Sequence, residues 1–175
     1  MVKYHLKYQH IKKTTIQAVK DHWNKGFWKG DSLHKKTVFE SLLKQLCEIY
    51  DINKIPQIII KKDFHNSGMY IPPLNIIIMN KYSLITLLHE FKHLKDINEG
   101  KRFSEENAKG WSLSLVYQVN PNYLKQVVGK GLVKYITDND IDGDIKVETN
   151  QQTCPFCLTT IRESSNYCYE CGAEL

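Results

Sequence analysis

Between residues 37 and 50 the apolar side chains fall at Val38, Leu42, Leu43, Leu46 and Ile49. Spacings of three and four put them on one helical face, so this segment is predicted to be a helix with one buried side. Residues 55–60 change the pattern: Ile55, Ile58, Ile59 and Ile60 are β-branched and the run is short, as suits a strand. Ser67 and Gly68 mark a turn before Met69, Tyr70 and Ile71, which predicts a hairpin with the preceding run. Pro72 and Pro73 interrupt, and Asn75, Ile76, Ile77, Ile78 and Met79 follow as another strand, for a small sheet of about three strands.

Helical spacing returns from residue 81 to about 96, where Leu84, Leu87, Leu88, Phe91 and Leu94 share a face, and Asn98, Glu99 and Gly100 supply a stop. Ser104 is placed to cap a second helix running to about Tyr117 and ended by Asn120, Pro121 and Asn122. A further helix over 122–136 is weakened by Gly129 and Gly131. A helix, a run of strands and then helices again is an α+β pattern.

The middle of the first long helix after the sheet reads His89-Glu90-Phe91-Lys92-His93, an H-E-x-x-H motif. Positions i and i+4 lie on one helical face, so both imidazoles can reach a single Zn²⁺. Glu90, one residue round the same turn, is placed to accept a proton from water without occupying the metal, which makes it the candidate general base and catalytic residue. A catalytic site needs a third protein ligand and one open position. No histidine follows His93, which leaves carboxylates. Glu105 is the choice because it shares a helical face with Ala108 and Ser112, small residues that let two helices approach closely; Glu106 projects to another side and is the substitute.

Four of the five cysteines, Cys154, Cys157, Cys168 and Cys171, form two CxxC pairs ten residues apart, the spacing of a short zinc ribbon. Four thiolates close a tetrahedral site, so this zinc is structural, and about twenty residues cannot bury enough apolar surface to fold without it. Cys47 lies in the apolar helix 37–50 and reads as a buried, unreactive thiol. Residues 138–144 alternate oxygen donors as the opening of an EF-hand loop does, but Thr149 stands at the twelfth position, so an acidic linker is expected there rather than a calcium site.

At 175 residues the chain holds one domain with a real core plus a small appendage. The expected division is a metallopeptidase domain over 1–137 with its core at about 38–118, the linker over 138–152 and the ribbon over 153–175. No apolar run reaches membrane-spanning length, the first residues lack a secretory pattern, and paired CxxC motifs suit a reducing compartment, so a cytoplasmic protein without membrane contact is expected. Residues 1–62 carry 13 Lys against 5 Asp and Glu. That excess permits nucleic-acid contact, by the basic half or the ribbon, but a solvated face is the plainer reading. Trp23 and Trp28 read as packing residues rather than base-stacking platforms.

The run LITLLHEFKHL followed by EENAKGWS resembles the compact gluzincins, in particular the ImmA/IrrE-like metallopeptidases with HExxH and a downstream ExxA, over about residues 38–118. The resemblance implies a minigluzincin-like core of helix, small mixed sheet, HExxH helix and glutamate helix, and a peptidase acting on a regulatory protein. It also implies that an edge strand before the active helix, here Asn75, Ile76, Ile77, Ile78 and Met79, binds the substrate by strand addition. The chain departs from that pattern in having Lys109 where Asn is usual and in a short interval from His93 to Glu105. SprT-like proteases, which act on DNA-bound proteins and also join HExxH to a zinc ribbon, are a more distant likeness, since their third ligand is a histidine.

Together these readings predict a zinc metalloendopeptidase with one catalytic and one structural zinc, acting on a protein or peptide. The alternative is a non-catalytic DNA- or protein-binding adaptor that uses the basic half and the ribbon.

Overall fold

The structure, a computed structural model, describes residues 11–26 and 30–130. The linker and the four-cysteine module of the sequence reading, and Trp28, lie outside these residues. Within them the protein is α+β, with five α-helices and a three-stranded mixed sheet. The helices are α1 (Lys13–Asn24), α2 (Ser32–Ile49), α3 (Leu84–Asn98), α4 (Glu105–Val119) and α5 (Pro121–Gly129); the strands are β1 (Gln57–Ile60), β2 (Gly68–Ile71) and β3 (Ile76–Met79). None of the described helices is long and apolar enough to cross a membrane.

Side-chain caps set three of the helix starts that matter for the site. The Ser83 hydroxyl accepts the Thr86 N–H at 3.3 Å, Ser104 accepts that of Asn107 at 3.2 Å, and Asn120 accepts that of Tyr123 at 3.0 Å. Each satisfies an amide that the first helical turn leaves without a partner. α2 begins five residues earlier than the apolar period suggests, because Asp31 accepts the His34 N–H at 2.8 Å and nucleates a polar first turn.

The sheet order is β1-β3-β2, with β1 parallel and β2 antiparallel to β3. This corrects two expectations. The strands of the first two runs do not form a hairpin with each other. The hairpin joins β2 to β3, across the four residues Pro72–Asn75, where Asn75 takes a left-handed conformation (φ 51°) that Asn tolerates well. Second, the run Asn75, Ile76, Ile77, Ile78 and Met79 is not an edge strand. Its β3 residues are hydrogen-bonded on both sides, so their main chain is not open to strand addition. The strand at the sheet edge beside α3 is β2.

One continuous apolar core runs through these elements. Leu42, Leu43 and Leu46 of α2, Ile77 and Met79 of β3, Leu87, Leu88 and Phe91 of α3, and Leu113, Leu115 and Val116 of α4 are all buried within it. Cys47 is buried there too, and burial pushes its thiol up to about 11, so it is an inert packing group as expected. Trp23 also packs, edge-on against Tyr123 with ring centroids 4.7 Å apart.

Candidate metal centre

α3 lies between the edge strand β2 and helix α4, and its sequence gives each side a different task. His89 and His93, one turn apart, face α4; Thr86 and Glu90, also one turn apart, face β2. α4 comes close to α3 because Ala108 and Ser112, on the side of α4 that carries Glu105, are small and fully buried. The Ser104 cap then puts Glu105 in the first turn of α4.

The result is a convergence of three donor groups. Glu105 Oε2 is 3.2 Å from His89 Nε2, Glu105 Oε1 is 3.2 Å from His93 Nε2, and the two Nε2 atoms are 3.1 Å apart. All the ligand atoms lie within 4.8 Å of one another, an arrangement that could hold a metal ion. Glu106 is not part of the group, so of the two carboxylates weighed from the sequence it is Glu105 that reaches the histidines.

Protonation chemistry favours a cation at this point. Burial, reinforced by the neighbouring His93, pushes His89 down to about 4, and burial also lowers His93 although Glu105 and Asp96 oppose it. Near neutral pH both imidazoles are therefore uncharged, and each can direct a lone pair from Nε2. With its hydrogen on Nδ1 each ring turns an Nε2 lone pair to the point that the Glu105 carboxylate also faces, and a divalent ion there would satisfy all three donors; with its hydrogen on Nε2 a ring donates to Glu105 instead. The Glu105 side chain is 63% exposed, so one side of the cluster opens to solvent, as a site with a free coordination position requires.

Glu90 occupies the adjoining space. It is 5% exposed, and its Oε2 accepts the Tyr70 main-chain N–H at 2.8 Å. Burial raises its carboxyl to about 7; the Tyr70 hydrogen bond partly offsets this, and Glu105 adds to it. The donor is available because of strand register. Asn80 N–H bonds Ser67 C=O, so Met69 and Ile71 are the residues of β2 turned inward to β3, while Gly68 and Tyr70 turn their main-chain groups outward toward α3. Gly68 allows the approach: a Cβ there would lie 2.4 Å from Thr86 Cγ2 and 2.9 Å from Glu90 Oε1. The absence of a side chain at Gly68 thus lets Thr86 and Glu90 pack directly against the β2 backbone.

No protein-family model, curated protein or solved structure matches this chain. The likeness to gluzincins therefore rests on His89, Glu90, His93, Glu105 and Ala108 themselves. Two contributors to the site had no signature in the sequence. Tyr70 acts through its main chain, and Phe103, in the loop between α3 and α4, lays its ring on His93 at a centroid distance of 4.0 Å.

The choice of Glu105 over Glu106 is directly testable. Glu105→Gln is expected to weaken metal binding at the histidine site by more than the roughly 10- to 100-fold that follows from losing a group that merely supports a ligand. Glu106→Gln should leave it within about twofold of the native value, since its carboxylate stands outside the cluster. Equilibrium dialysis of the two variants decides, and equal losses would remove Glu105 from the ligand set.

Proposed function

We propose that the chain is a zinc-dependent peptidase in which His89, His93 and Glu105 hold the ion and Glu90 is the general base. The supporting observation is that a buried carboxyl with proton affinity near neutral stands one residue from a cluster of two neutral imidazoles and a carboxylate. Zinc held by such a set acidifies water and polarises a carbonyl. Glu90 would take up the proton at Oε1, the oxygen that does not accept the Tyr70 N–H, and return it to the departing amine. Tyr70 keeps the carboxylate oriented through Oε2 throughout. A group whose proton affinity matches the working pH is well suited to both halves of that transfer. The substrate is a protein, of the regulatory or DNA-associated kind that the two family likenesses suggest, met in the cytoplasm.

New peptide termini provide the test. Cells expressing the native protein should contain termini that are absent from cells expressing Glu90→Gln, with equal metal content in the two purified proteins. Identical sets of termini, with every biological effect retained by the variant, would replace the peptidase by a binding adaptor.

A further inference from the structure

A histidine that ligates a metal through one ring nitrogen ordinarily donates its other N–H to a carboxylate, carbonyl or water, and that bond fixes the ring. Among the described residues nothing does this for His93: its Nδ1 is buried with no hydrogen-bond partner there, and the carboxylate three residues on, Asp96, is taken by the ammonium of Lys92. Yet the ring is held: Phe103 stacks on it with an interplanar angle of 16°. Phe103 is 48% exposed, so this stack on the imidazole is made at the protein surface.

We propose that Phe103 is the positioning residue for His93, its ring face fixing the imidazole plane in place of the missing hydrogen bond at Nδ1. This rests on the metal-site reading given above. Stacking restricts tilt of the imidazole while leaving Nε2 aimed at His89 and Glu105. The contact should strengthen when a cation withdraws electron density from the imidazole, because an aromatic face attracts a ring carrying positive charge. Phe103 also directly precedes Ser104, the cap of α4, and Glu105. The same residue thus ties the orientation of one ligand to the placement of another.

The test uses the full chain and Phe103→Ala, Phe103→Leu and Phe103→Tyr. Co²⁺ is the probe, because its visible bands at a nitrogen–oxygen site are separable from the thiolate charge-transfer bands of a cysteine site. Affinity at the histidine site should fall about 10- to 100-fold in Phe103→Ala. Phe103→Leu, which keeps apolar bulk but has no ring face, should recover little of this, and Phe103→Tyr nearly all. In the metal-free protein the ring-current shift of the His93 ring protons should persist in Phe103→Tyr and vanish in Phe103→Leu. Loss of that shift with affinity unchanged would overturn the positioning role and leave the metal site standing. Failure of the native protein to give nitrogen–oxygen Co²⁺ bands would overturn both readings.

Discussion

Glu90→Gln should produce two effects of opposite sign: cleavage falls by at least about 100-fold, and the metal-free protein becomes more stable at alkaline pH. The first follows from removing a general base, whose contribution is typically about 10²- to 10⁴-fold. The second follows from linkage. A carboxyl raised from 4.5 to about 7 in the folded state binds its proton more tightly there than in the unfolded chain. Its contribution is complete below pH 4.5 and is lost as pH rises through 7, where the native protein must carry a buried charge. Glutamine keeps an oxygen for the Tyr70 N–H and never ionises. The stability difference between variant and native protein should therefore grow from pH 4.5 to about 7, by about 3 kcal/mol, and then level off. His89 and His93, whose folded-state values are lowered, act in the other direction and lose stability as pH falls below 6.5. They are present in both proteins and cancel in the difference. Urea unfolding of the chelator-treated pair at pH 5 and pH 8 reads it, and a difference independent of pH would mean that Glu90 is not held as described.

What was legible in the sequence was local. The start of α4 was readable because Ser104 caps by a hydrogen bond spanning three residues, and the pairing of His89 with His93 follows from helical pitch alone; α3 begins at Leu84 and not at residue 81, because Ser83 supplies a cap that the apolar spacing did not mark. Glu105 was readable because one helical face carries it with Ala108 and Ser112. α1 was not foreseen: its buried residues are Thr15, Ala18, Val19 and His22, a face too small and polar to show as apolar period, and Lys12 gives no side-chain cap.

Strand order was beyond a local reading, because it depends on which partner each strand finds. The sequence separates β1 from β2 by seven residues and β2 from β3 by four, and the shorter connection took the hairpin. That outcome put β3 in the middle, moved the edge to β2 and turned the Tyr70 N–H toward Glu90. Neither a main-chain donor nor a ring laid on a distant imidazole leaves a mark on residue spacing.

Gly68→Ala is expected to be among the most damaging single-methyl changes in the molecule. The conformation at Gly68 is open to any residue, so the cost lies in contact. The added Cβ meets Thr86 Cγ2 at 2.4 Å, Glu90 Oε1 at 2.9 Å and Glu90 Cγ at 3.1 Å. Helix α3 is fixed by its buried face, so β2 must lift away from it. Overpacking of this kind costs about 1–3 kcal/mol, and weakening the Tyr70 bond to a charged carboxylate adds about 1 kcal/mol or more. Cleavage should fall about 100-fold, the scale set by a misplacement near 1 Å. Thr86→Ser separates this account from a general loss of stability. It deletes the methyl that makes the closest contact and keeps the hydroxyl hydrogen bond to Ser83 at 3.0 Å. In the Gly68→Ala, Thr86→Ser double variant about half of the lost stability should return, with a coupling of about 1 kcal/mol or more in the double-mutant cycle. Strictly additive effects would show that β2 does not rest on α3 at Thr86, and the orientation of Glu90 by that strand would have to be abandoned.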